Sequence, residues 1–86
     1  MRNDAIETLT EYEWEHTDTY AGESNYAWVR RGTVTARSLN HAVRLAKKAA
    51  GINGVRCYRE EYHGVGGAIL RPVGICQIMF ITYKEG

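Results

Sequence analysis

Residues 38–51, SLNHAVRLAKKAAG, leave little freedom in how the chain folds. Leu39, Ala42, Val43, Ala46 and Ala50 recur at the three-and-four spacing that draws one narrow apolar stripe along a helix. Ser38 is suited to the N-cap, where its hydroxyl accepts an orphan amide of the first turn. Gly51 can turn left-handed and stop the helix, and Lys47 and Lys48 fall in the last turns, where cations suit the dipole. Opposite the stripe lie His41, Arg44, Lys47 and Lys48. The segment therefore predicts one helix, apolar on one side and basic on the other.

A lone helix this narrow needs a sheet to pack on, and the rest of the sequence supplies strands. Eighty-six residues make one domain, 1–86, too small for two cores. At this size a second copy of the chain is a common way to bury more surface. From 9 to 16 the chain alternates, with Thr10, Tyr12, Trp14 and His16 on one side and Glu11, Glu13 and Glu15 on the other, the period of a half-buried strand. A helix starting at Asp4, with Glu7 closing a capping box, competes with this reading. TDTYAGES, 17–24, is turn chemistry. A second strand is expected over 25–37, with Tyr26 and Trp28 sharing a face and Gly32 marking a bulge. A third runs over 55–62, followed by a Gly-rich loop at 63–67. Arg71-Pro72 and Gly74 make 68–72 an edge or irregular segment.

The last strand, 75–83, is the most apolar piece. Ile75, Met79 and Ile81 fall on one face, and Cys76, Ile78 and Phe80 on the other, so both faces call for burial. One helix covers one face, which leaves tyrosines and tryptophans, a twin subunit or a partner to cover the second. A homodimer through the sheet face or through this strand is one expectation. The predicted fold class is α+β, an antiparallel four-stranded sheet with a single helix on one face, in the order ββαββ.

The residue types point away from catalysis. His16, His41, His63, Cys57 and Cys76 are scattered, with neither a CxxC nor an HxxxH pair, so neither a metal nor another cofactor is expected. Ser38 is committed as a cap, and the glycines at 64, 66 and 67 lack the Lys-Ser/Thr of a phosphate-cradling loop. Glu11, Glu13 and Glu15 share an exposed side and form a negative stripe. There is no signal peptide or apolar run long enough for a bilayer, so the chain reads as cytosolic, with reduced cysteines filling the core and no membrane partner. The expectation is a protein that binds and is not an enzyme.

Charge gives that binding a direction. Residues 1–25 hold seven acids and one base, Arg2, whereas residues 26–59 hold eight bases and no acid. The two blocks either neutralise one another across paired strands or form separate patches for an acidic or polyanionic partner. The candidate partner-binding residues are Arg44, Lys47 and Lys48 on the helix, with Arg37, Arg30 and Arg31 beside them. Direct nucleic-acid contact, with phosphates on these cations and bases on tyrosines, is one use for such a patch. Glu60 and Glu61 in the third strand oppose it.

The segment TARSLNHAVRLAKKAAGI and the GVRCYREE strand after it resemble small phage-encoded type I anti-CRISPR proteins. The resemblance spans about 33–61, a strand running into a capped, alanine-rich basic helix and out into a strand. It implies a protein acting in the bacterial cytoplasm. Its partner would be a Cas protein subunit of the host's CRISPR surveillance complex, held stoichiometrically so that target DNA cannot pair with the guide. The family has no shared catalytic motif, so no residue role is carried over. The other reading is a small phage nucleic-acid-binding or regulatory protein using the same basic helix face.

Overall fold

The computed structural model describes residues 9–62 and 66–84. Within them the chain forms β1 (Thr10–Tyr20), β2 (Glu23–Ala36), α1 (Leu39–Ala49), β3 (Cys57–Tyr62), β4 (Gly67–Pro72) and β5 (Gln77–Tyr83). The strands make one antiparallel sheet in the order β2-β1-β5-β4-β3. The fold is therefore α+β with one helix, but with five strands in the order ββαβββ where four were expected. The extra strand is β4, which lies between β3 and β5. Pro72 is compatible with that position because the β4–β5 pairs run from Ala68–Ile81 to Leu70–Met79 and stop before it. Its missing N–H is never required by β5.

The helix forms as its sequence dictates. The Ser38 hydroxyl accepts from the His41 amide at 3.2 Å. At the other end Ile52 N–H donates to Lys47 O at 2.8 Å and Gly51 N–H to Lys48 O at 3.1 Å, a Schellman pair with Gly51 at φ +78°. Ala42, Val43, Ala46 and Ala50 are buried and Leu39 is half-buried. They meet Tyr12, Trp14, Ala36, Ala68, Leu70, Met79 and Ile81, which form the inward face of the sheet.

β1 keeps the expected alternation and runs on past His16 to Tyr20. Only Ala21-Gly22 turns. Both have positive φ, 54° and 84°, the requirement of a two-residue hairpin whose twist matches its strands. β2 pairs with the eleven residues of β1 from end to end, a length of about 36 Å, and its three extra residues are taken up in a bulge.

The bulge lies elsewhere than at Gly32. Thr17 pairs Val29 while Thr19 pairs Ser24, so Asp18 faces the four residues 25–28. The Asp18 carboxylate accepts from Ala27 N–H at 2.8 Å and from the Asn25 amide at 2.8 Å, taking the place of strand hydrogen bonds. The Asn25 bond first, with the Ala27 amide assisting, holds this carboxyl below the usual range. Tyr26 sits at φ +56°, and the bulge sends it and Trp28 to opposite faces, not to a shared one. Gly32 stays paired with Trp14. A Cβ there would lie 2.8 Å from the Trp14 indole, so the glycine makes room for a ring only 8% exposed.

Two further expectations are corrected. Ile75 and Cys76 precede β5 and are exposed, because the chain is still in the turn after Gly74 (φ +85°). Cys76 is therefore no core residue, although Cys57 is half-buried against the core. The possible helix from Asp4 and most of the 63–67 loop lie outside the described residues. No helix among the described residues is long and apolar enough to cross a membrane.

Candidate functional site

The helix covers one face of the sheet, and the six candidate cations distribute around it unequally. His41, Arg44 and Lys48 follow one another at i, i+3 and i+7, which puts them on one side of α1. Arg44 and Lys48 are exposed and, among the described residues, neither joins an ion pair. Arg37, also exposed, is drawn to the start of this line, since its amide donates to His41 Nδ1 at 3.2 Å.

Lys47 differs from its neighbours. It is half-buried, and its ammonium donates to the Val55 carbonyl at 2.8 Å. That bond ties the last turn of α1 to the segment leading into β3, a structural task the helical spacing did not reveal. Arg56, which follows in the same segment, is exposed and, among the described residues, joins no ion pair.

Arg30 and Arg31 are consecutive on β2 and so point to opposite faces. Arg30, opposite His16, reaches the helix end, with Nη1 at 3.4 Å from the Ala50 carbonyl and its guanidinium 6.0 Å from the Trp28 ring centroid. At the far edge Arg59 donates to the Asn40 side chain at 2.7 Å. Two arginines from the inward face thus hold the two ends of one helix.

Arg31 lies on the open face, 2.8 Å from Glu15. Tyr26 donates to the other oxygen of the same carboxylate at 2.7 Å. The Tyr26 bond first, then Arg31, keeps Glu15 below the usual carboxylate range against a contrary push from burial, and Glu15 in turn raises the Tyr26 hydroxyl. These groups edge an open groove of about 530 Å³ that includes Glu13, Thr33, Phe80 and Thr82. The other open-face cations are also matched, Arg71 with Glu60 at 3.6 Å and Lys84 with Glu11 at 3.9 Å.

Arg44 and Lys48 share one side of the helix, with the Arg37 backbone at its start and Lys47 tethered beneath, and Arg30 and Arg31 are separated from them and from each other. Among the described residues no three His, Cys, Asp or Glu side chains gather as a metal centre. What the helix offers chemically is the exposed positive charge of Arg44 and Lys48, which no acid among the described residues answers. No protein-family model, curated protein or solved structure matches the chain.

Proposed function

We propose that the chain works by stoichiometric binding, docking the basic side of α1 on an acidic surface of a partner. The observation that carries this reading is the pair Arg44 and Lys48, one turn apart and exposed, with no acid of the described chain to neutralise them. Salt bridges formed with solvent-exposed partners inside a protein contribute little. Cations left unpaired steer association with an oppositely charged surface and set its register. The helix that presents them is capped at both ends and packed on a sheet, so little ordering is needed on binding.

Joined to the resemblance of residues 33–61, this gives the specific proposal of an anti-CRISPR-like inhibitor. The partner is then a Cas subunit of a type I surveillance complex, and occupancy of its surface keeps target DNA from the guide. No bond is made or broken. The second reading is direct binding of phosphates by the same cations, as in a small nucleic-acid-binding regulator.

Size-exclusion of the purified protein with type I complexes, and separately with free DNA and RNA, tests the proposal. The inhibitor reading predicts co-elution with a complex and not with bare nucleic acid. Salt-sensitive binding to nucleic acid alone would replace it with the second reading. Elution apart from both would remove the docking proposal.

A further inference from the structure

His16 is the one buried side chain among the described residues with a polar atom left without a partner. It is 3% exposed and lies on the inward face, opposite Arg30 and Met79. Its Nε2 is 2.9 Å from the Gln77 side-chain oxygen. That oxygen can only accept, so Nε2 carries a proton, and in the neutral ring Nδ1 is then a bare lone pair. Nothing in the protein donates to it. Leaving such an acceptor empty is unfavourable.

Beside this imidazole is an open groove of about 530 Å³, lined by His16, Trp28, Arg30, Ala50, Ile52 and Gln77 among others. That is within the range of roughly 300–1,000 Å³ usual for small-molecule sites, and far more than one bridging water fills. Its walls have three chemistries. Trp28 stands edge-on to the imidazole with ring centroids 4.9 Å apart, and Arg30 lies along Trp28. Gln77 has an amide nitrogen left to donate, since its oxygen is taken by His16. The carbonyls at the C-terminal end of α1, Ala50 among them, add acceptors and the negative end of the dipole.

The lone pair and the helix end offset the pull of the Arg30 guanidinium on an anion, since its Nη1 is directed to the Ala50 carbonyl. The site instead wants a flat ring with an N–H donor for His16 and an acceptor for Arg30 or Gln77. We propose that this groove binds a nucleobase, with His16 Nδ1 accepting from its N–H and Trp28 and Arg30 stacking on the ring. Unstacked bases are held on aromatic rings and guanidinium planes in this way. The Nδ1 atom is closed to solvent, so the proposal requires Trp28 and Arg30 to part enough to admit the ring between them and His16. Both belong to the edge strand β2 at and just past its bulge, and Trp28 is already 37% exposed. The inference rests on the groove and not on Arg44 and Lys48. The base comes either from a free nucleotide or from a single strand.

The test is an NMR titration of the intact wild-type protein, following the His16 ring nitrogens and the Trp28 indole. The probes are adenosine and cytidine monophosphates and a ten-nucleotide single strand of mixed sequence. Saturable shifts at both residues with the mononucleotides support the site and identify free nucleotide as the source. Shifts there with the oligonucleotide alone support it and identify a strand. Trp28→Ala weakens either interaction about tenfold, and Tyr58→Phe, on the open face, leaves it unchanged. Oligonucleotide binding that perturbs only the α1 surface, or no response at His16 and Trp28 to millimolar probe, overturns this inference and leaves the docking proposal standing.

Discussion

On the open face of the sheet three cations are answered by acids: Arg31 by Glu15, Arg71 by Glu60 and Lys84 by Glu11. On the helix side, Arg44 and Lys48 stand exposed with none among the described residues, while Arg30 and Arg59 hold the helix ends and Arg59 also pairs with Glu61 at 2.8 Å. The two faces also differ in packing. Met79, Leu70, Ile81 and Ala68 under the helix are fully or nearly fully buried, whereas on the open side Thr17 and Ile78 are buried but Phe80 and Ile69 only half-buried. One face is electrically closed and partly bare; the other is packed and electrically open. A count of charges along the chain hides this, because neutralisation of the acidic block by the basic one is realised among the described residues only through Arg31 and Glu15.

The packing half of the contrast carries the largest effect on stability. Leu70→Ala, beneath the helix, should cost about 2–5 kcal/mol in urea denaturation. Ile69→Ala, one residue away on the open face, should cost about 1 kcal/mol or less, since less of its surface is buried to begin with. Equal losses would erase the difference between the faces. Gly32→Ala should come next, destabilising by about 1–2 kcal/mol. The push against Trp14 exceeds what is gained by removing a flexible glycine. Thr33→Ala beside it should stay within about 0.5 kcal/mol. Ser38→Ala should cost about 1 kcal/mol through the lost cap.

The smallest effect is electrostatic and comes from Glu15 on the open face and Asp18 in the bulge. Glu15 and Asp18 have lowered folded-state pKa values, set chiefly by Tyr26 and by Asn25. A lowered carboxyl stabilises the fold fully above its usual value, 4.5 for Glu15 and 3.8 for Asp18, and the gain is lost as pH falls through the lowered value. Melting temperature should therefore decline on acidification below about pH 4.5, and Glu15→Gln should flatten part of that decline. An unchanged slope would show that the Tyr26–Glu15–Arg31 cluster contributes nothing.

The parts of the fold legible from sequence were those written in local chemistry. Ser38, Gly51 and the alanine stripe announce α1 and both its ends, and the Glu-aromatic alternation announces β1. The bulge was not legible, because it depends on Asp18 reaching the Ala27 amide from the neighbouring strand. Gly32 was read for its backbone, yet its role comes from a tryptophan on another strand. β4 was misread because Pro72 and Gly74 are breakers whose effect depends on where pairing with β5 stops. Of the candidate site, Arg44 and Lys48 follow from helical period alone. Lys47 obeys the same period but bonds a carbonyl from outside the helix, and Arg30 and Arg31 part company by strand alternation. His16 carried a signal that was passed over, a polar residue at an inward position of a strand otherwise aromatic there.

The measurement that tests the central claim most directly is binding of the Arg44→Glu/Lys48→Glu double variant to a type I surveillance complex, beside Arg31→Glu from the closed face. Both sets of substitutions are at exposed positions, and circular dichroism should show both proteins folded. The account predicts that the helix variant fails to co-elute with the complex, while the Arg31→Glu protein co-elutes as the wild type does and keeps its salt dependence. Wild-type binding by the double variant, or loss of binding only with Arg31→Glu, would contradict it.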